Sequence, residues 1–246
     1  MSEVNKDTLN QIANAYHLNN EISDKQFDKR FHQLCFEWIK TYLKPGCRVL
    51  ELGYGEGNVT KELLSVKASV EIIEGAKLLV DEARKKYRSN VTVHHSLFSE
   101  FVPSKPYDVI LATNILEHVS EPVQTLDHIK RWCSPETYLV ITVPNSESIH
   151  RRLAVLMGIQ PKLNTLSKRD HLVGHQRVYN YNELIKEVTD AGFSLIESKG
   201  FLLKVLPNSL LSELPDDLIE AFYSISSQLD FKMLADIGVV LKINVN

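Results

Sequence analysis

The chain has 246 residues, 43% of them hydrophobic, enough to bury one sizeable core, which argues against a disordered, fibrous or disulfide-stapled peptide. Its 28 Lys and Arg against 31 Asp and Glu leave a formal net charge of -3, no electrostatic footing for a duplex nucleic acid. Cys35, Cys47 and Cys133 form neither a disulfide framework nor a CxxC pair, as fits a reducing compartment. Met1–Asn10 is polar and lacks a signal peptide's apolar run, and no later stretch approaches the roughly 18 apolar residues of a membrane span; the expectation is a soluble cytoplasmic protein of one domain.

After Ser23, Phe27, Phe31, Leu34, Cys35, Trp38, Ile39, Tyr42 and Leu43 recur at spacings of three and four, the period of an amphipathic helix, and Pro45-Gly46 ends it. Short apolar runs at Arg48–Leu52, Val70–Ile73, Val91–His94, Tyr107–Ala112 and Tyr138–Val143 then read as strands. Between them Val59–Ser65, Ala76–Tyr87 and Pro122–Trp132 read as helices. Alternation of this kind predicts an α/β fold, a parallel sheet with helices on both faces. From Asn145 to Val178 the pattern breaks into a mixed stretch too long for an ordinary connection, expected to be a lid or binding element. A helix over Tyr181–Ala191 follows, then Ser194–Val205, a helical insert near Pro215–Ser227, and a last strand over Gly238–Val245.

Val49-Leu50-Glu51-Leu52-Gly53-Tyr54-Gly55-Glu56-Gly57-Asn58 is the strongest signal, a hydrophobic strand running into three alternating glycines and then a helix. A strand that turns sharply into a helix needs left-handed backbone and close approach to a ligand, both of which a side chain obstructs. Glu74 ends the second strand, about 20 residues on, where a carboxylate in a doubly wound fold accepts hydrogen bonds from ribose hydroxyls. The spacing GxGxG differs from the dinucleotide GxGxxG. An acid two residues before the first glycine sits badly beside a pyrophosphate but well beside a cationic amino group, which favours a sulfonium cofactor over NAD.

These residues resemble the class I S-adenosylmethionine-dependent methyltransferases, whose first motif is similar to VLELGYGEG here. The likeness extends from about Val49 to Pro144 and includes Tyr107-Asp108-Val109-Ile110 and Leu116-Glu117-His118-Val119, like the LEHV of small-molecule branches. Asp170 to Tyr179 resembles a GHxRxY segment of bacterial members, and Ile12 to His17 an AxxY-type segment whose tyrosine, Tyr16, closes over the cofactor. The resemblance implies a Rossmann-like seven-stranded sheet with N-terminal helices and a helical insertion. It implies that Glu51, Gly53, Tyr54, Gly55 and Gly57 frame the methionine part of S-adenosylmethionine, Glu74 and Gly75 the ribose, and Asn114 the start of the loop after the fourth strand. No carboxylate stands at Ser96 or Leu97 to hold the adenine amino group, a departure that leaves adenine to Ser96, backbone groups and the apolar Leu97 and Phe98.

Methyl transfer asks for a nucleophile held in line and, for an alcohol, a proton acceptor. His118 is the first candidate base, with His171 and His175 competing for the role, while His171, Arg177 and Tyr179 are assigned to the acceptor; an arginine fork suits a phosphate or carboxylate. A histidine packed on the sheet edge and a structural arginine salt bridge are the bland readings of the same residues. Asn114, Glu117 and His118, with His171 or His175, echo a constellation that binds a divalent ion in some methyltransferases, including an RNA-terminal branch with ExxEH. Asn114 replaces its first carboxylate, so no metal is expected. The chain divides into an N-terminal helical cap (1–45), a cofactor core (46–144), a lid (145–180) and the rest of the core (181–246). The expected activity is methylation of a small polar acceptor at oxygen, a sugar, nucleotide-sugar or related anionic metabolite. N- or C-methylation and a metal-assisted RNA-terminal reaction are the alternatives. Nucleic-acid and membrane partners are not expected, and homodimerisation is left open.

Overall fold

A computed structural model describes residues 5–19, 25–211 and 213–244. Arg48–Leu52 (β1), Ser69–Glu74 (β2), Val91–His95 (β3), Val109–Thr113 (β4) and Tyr138–Pro144 (β5) form where apolar runs permit burial on both sides. Alternate residues face opposite ways: Val49, Val70, Ile72, Val109 and Leu111 enter one core and Leu50, Leu52, Ile73, Ile110 and Ala112 the other. Two further strands, Phe193–Phe201 (β6) and Asp236–Ile243 (β7), complete a sheet of order β3-β2-β1-β4-β5-β7-β6. β1 to β5 pair in parallel, and β7 runs antiparallel to both β5 and β6. The seven-stranded α/β sheet implied by the resemblance is therefore present. Val245, which the sequence adds to the last strand, lies outside the described residues.

The helices take their places by apolar face. Lys6–Ile12 (α1) continues through a π-helical turn, Ala13–His17, and Lys25–Ile39 (α2) buries Phe31, Cys35, Trp38 and Ile39 with Asn58–Ser65 (α3) and Lys77–Tyr87 (α4) against the first core. Pro122–Arg131 (α5) covers the second. The stretch read as irregular holds two helices, Ile149–Leu156 (α6) and Lys168–Leu172 (α7), the latter started by a capping box in which Ser167 and Asp170 bond each other's backbone N–H. These helices are short, and their few apolar residues give a weak periodic signal. Tyr181–Asp190 (α8) joins α5, and Asn208–Leu211 (α9) and Asp216–Ile225 (α10) form the C-terminal insert with its own small cluster around Phe27. β1 lies between β2 and β4, so the chain departs to opposite sides at its carboxyl end, where open α/β sheets bind ligands. Among the described residues no helix is long and apolar enough to cross a membrane.

Candidate active site

Beyond the carboxyl ends of β1, β2 and β4 lies one continuous cavity of about 1200 Å³, covered by α1 and by the segment carrying α6 and α7. Small-molecule pockets commonly hold about 300–1000 Å³, so the space suits two ligands side by side. Glu51, Gly53, Tyr54, Gly55, Glu74, Gly75, Ser96, Leu97 and Asn114 line it, as does Tyr16. Gly53 and Gly55 adopt φ of +73° and +54°, backbone that a Cβ would strain. Gly57 does not line the cavity; it starts α3, and a Cβ there would stand 2.6 Å from the Tyr54 ring.

Two buried carboxylates flank this turn. Glu74 accepts the Tyr54 N–H at 2.8 Å on one oxygen and the Ala76 N–H at 2.7 Å on the other, which fixes the turn and leaves each oxygen a lone pair for a further donor. Glu51, 2% exposed, accepts the Thr60 hydroxyl at 2.6 Å; burial pushes its pKa up to about 8, with Thr60 opposing. The Ser96 hydroxyl donates to the Leu97 carbonyl, so its proton is already engaged, and Leu97 and Phe98 stand as apolar wall. Over the cavity, the Tyr16 hydroxyl donates to Asp28, and Arg169 bonds both of them, tying the N-terminal helix to α2 and α7. A Cβ on Gly75 would come within 2.4 Å of Leu9, so this glycine lets the N-terminal helix lie close.

The second half of the cavity is built where LEHV meets GHxRxY. The loop after β4 begins at Asn114, whose φ is +54°, and carries Glu117 and His118. His175 approaches His118 with ring centroids 4.7 Å apart at 77°. Its Nδ1 faces Asp170 Oδ1 at 3.1 Å and its Nε2 faces Glu117 Oε1 at 4.0 Å. Burial opposes ionisation of Asp170, but His175, the Arg151 guanidinium at 2.8 Å and the Ser167 N–H outweigh it and hold the carboxyl well below its usual range. Burial, helped by His175, presses the His118 pKa down to about 3. Glu117 is fully buried, neither of its oxygens has a hydrogen-bond partner among the described residues, and burial lifts its pKa to about 8.

Two assignments need correction. Arg177 does not reach the cavity: its guanidinium donates to the carbonyls of Leu116 at 3.0 Å, Ser120 at 2.9 Å and Val119. With Gln176, which donates to the His118 carbonyl at 2.5 Å, it clamps the loop that presents Glu117 and His118. Tyr179 is core, 2% exposed, its hydroxyl bonded to Glu187 at 2.8 Å. His171 does line the cavity.

Sequence reasoning missed His150, Lys204 and Asp236, which also line the cavity. Burial holds the Lys204 ammonium below its ordinary range, with Asp236 opposing, and His150 Nδ1 is buried without a partner among the described residues. A lysine inside the apolar run Phe201-Leu202-Leu203-Lys204-Val205-Leu206 was the available signal.

Residues 25–198 match the model of a methyltransferase domain family. The chain belongs to this family. It is a class I methyltransferase, and S-adenosylmethionine is its methyl donor. An uncharacterised methyltransferase of Geobacillus sp. is 37% identical over 79 residues, covering 32% of this chain and 37% of that protein. The malonyl-[acyl-carrier protein] O-methyltransferase of Paenibacillus sp. is 26% identical over 164 residues, covering 61% and 56%; the chain thus spans little more than half of these curated relatives at most. A structure of the Burkholderia thailandensis 1,6-didemethyltoxoflavin-N1-methyltransferase, with its substrate and S-adenosylhomocysteine bound, superposes with a TM-score of 0.65 at 15% identity, covering 96% of this chain and 87% of that one.

Proposed function

We propose that this methyltransferase transfers the methyl group to an oxygen of a small polar acceptor that carries an anionic group. The carrying observation is one continuous cavity lined by the glycine turn with Glu51 and Glu74, by the His118–His175 pair, and by Lys204 with His150. S-adenosylmethionine lies along the glycine turn, its amino group beside Glu51 and its ribose on the free lone pairs of Glu74. The acceptor lies beside it, with its anion toward Lys204, the role expected of Arg177. Its reacting oxygen meets the histidine pair. A useful base has a pKa near the working pH, so His118, pressed to about 3, is too weak. His175 takes the proton, its ring oriented by Asp170.

Oxygen is favoured over nitrogen by that dyad, since an alcohol must lose a proton and a neutral amine can attack unaided. The relatives include both an O- and an N-methyltransferase. An RNA acceptor has little support, because Arg84 donates to the Val93 carbonyl, Arg151 pairs with Asp170 and Arg169 with Asp28, so these three arginines are engaged within the fold.

The test is methyl transfer from S-adenosylmethionine to a panel of hydroxylated and amine acceptors with and without carboxylate or phosphate groups. Activity on anionic alcohols is expected, and Lys204→Met should raise KM for them at least tenfold, from a lost charge-assisted bond of about 1.5–3 kcal/mol, with unchanged affinity for S-adenosylhomocysteine. Equal turnover of neutral acceptors, unaffected by Lys204→Met, would overturn the anionic assignment.

A further inference from the structure

The segment that covers the cavity has a surface of its own. From Ser148 to Arg169 it carries Arg151, Arg152, Lys162, Lys168 and Arg169 and no acidic residue, in a chain whose net charge is -3. Arg151 is buried against Asp170, and Arg169 pairs with Asp28. Arg152, Lys162 and Lys168 are left at the surface; Arg152 has Glu147 beside it only at 3.9 Å. Among these cations stand Leu156, Met157 and Ile159, which are 83%, 68% and 70% exposed, with Leu153 of α6 and Leu172 of α7 also open to solvent. Large apolar side chains exposed together mark an interaction surface.

This exposure is built into the fold. α6 ends in a Schellman cap, in which the Ile159 N–H reaches the Ala154 carbonyl at 2.9 Å, the Gly158 N–H reaches the Val155 carbonyl at 3.0 Å, and Gly158 takes φ of +71°. Past the cap, the buried Arg151 guanidinium donates to the carbonyls of Leu163 and Thr165, and the Gln160 amide donates to the Arg151 carbonyl. The backbone is thus fastened from the inside while its apolar side chains point out. Ile159, Lys168 and His171 also line the cavity, so the surface forms part of its rim.

We propose that this rim docks on an anionic phospholipid bilayer, with Leu156, Met157 and Ile159 inserted at the headgroup boundary and Arg152, Lys162 and Lys168 against lipid phosphates. Peripheral docking needs apolar side chains flanked by cations and no membrane-spanning helix. A segment without acidic residues calls for an anionic partner. Side chains this exposed stand on a protruding corner, which a fluid lipid surface accommodates and a protein face meets only with a matching socket. Docking brings the cavity rim to the lipid surface, and it does not depend on the identity of the acceptor.

The full chain is sedimented with vesicles of phosphatidylcholine alone and of phosphatidylcholine with about one-third phosphatidylglycerol. It should bind the anionic vesicles, at least tenfold more weakly the neutral ones, and more weakly still as salt is added. L156S/M157S should lower partitioning at least tenfold, the worth of burying one such side chain. R152Q/K162Q should lower it about 20- to 30-fold, at about fivefold for each cation near an anionic surface. None of these four residues lines the cavity, so unchanged affinity for S-adenosylhomocysteine shows that the variants are folded. No binding to anionic vesicles at low salt, or binding that both variants leave unchanged, overturns the proposal. Binding lost in R152Q/K162Q but kept in L156S/M157S is adsorption without insertion and overturns it as well. Lipid-free self-association that L156S/M157S abolishes, without vesicle binding, gives the surface to a second copy instead. Because these mixtures contain neither donor nor acceptor, they succeed or fail separately from the methyl-transfer assay.

Discussion

Glu51 gives the proposed cofactor placement a measurable proton. Its pKa in the free protein is about 8, so at pH 7 the group carries about 0.9 proton. An ammonium placed beside it favours the charged form, so binding S-adenosylhomocysteine should expel that proton. The sign follows directly. The free carboxyl must ionise before it can pair, at a cost of about 1.4 kcal/mol for each pH unit below 8; affinity therefore rises with pH up to that point and levels off above it. Kd should improve about ninefold between pH 6 and 7 and about fivefold between pH 7 and 8. Calorimetry in buffers of different ionisation enthalpy should show release of about 0.9 proton at pH 7. Glu51→Gln should abolish both effects and weaken binding at pH 8 at least tenfold, since a hydrogen bond to a charged group is worth about 1.5–3 kcal/mol. Glu117 also has a raised pKa but stands in the other half of the cavity, so its proton persists in that variant. A buffer-independent enthalpy and an affinity flat from pH 6 to 8 would refute the placement of the amino group.

Arg177→Ala strips donors from three carbonyls and should cost about 2–4 kcal/mol of stability in urea unfolding, with acceptor KM unchanged in the folded fraction; a selective rise in KM for anionic acceptors would restore its sequence-based role. Asp28→Ala cuts Tyr16 and Arg169 from their shared partner and should raise amide exchange across residues 6–17 at least tenfold while weakening cofactor binding. Unchanged exchange would mean that Leu9 and Ile12 packing alone holds the N-terminal helix.

The parts legible in sequence are those where backbone geometry dictates residue type locally. Val49, Leu50 and Leu52 must be apolar to lie in a two-sided sheet, and Gly53 and Gly55 must be glycine to turn at positive φ; together they placed the strand, the turn and the cavity beside it. Glu74 was found the same way, although its first partners are the backbone N–H groups of Tyr54 and Ala76. Arg177 shows why the rest was not legible. An arginine three residues after a glycine reads equally well as an acceptor clamp or a loop clamp, and the choice is made by carbonyls of Leu116, Val119 and Ser120, which reach it only through the fold. Lys204 was hidden in the opposite sense, by an apolar run that reads as strand while its ammonium turns to the cavity.

Side-chain roles across long separations are thus set by which neighbour arrives first at a donor, and sequence spacing carries no trace of it. The LEHV and GHxRxY segments show the step concretely. Each was visible alone, as a loop at the sheet edge with a histidine in it. Their joint meaning depends on Gln176 and Arg177 fastening one loop to the other, because that fastening brings His175 to 4.0 Å from the buried Glu117 carboxylate. Either histidine by itself reads as a base. Held together over Glu117, with burial pressing His118 well below an ordinary imidazole and Asp170 orienting His175, the pair divides its roles, and His175 is the member placed to take a proton.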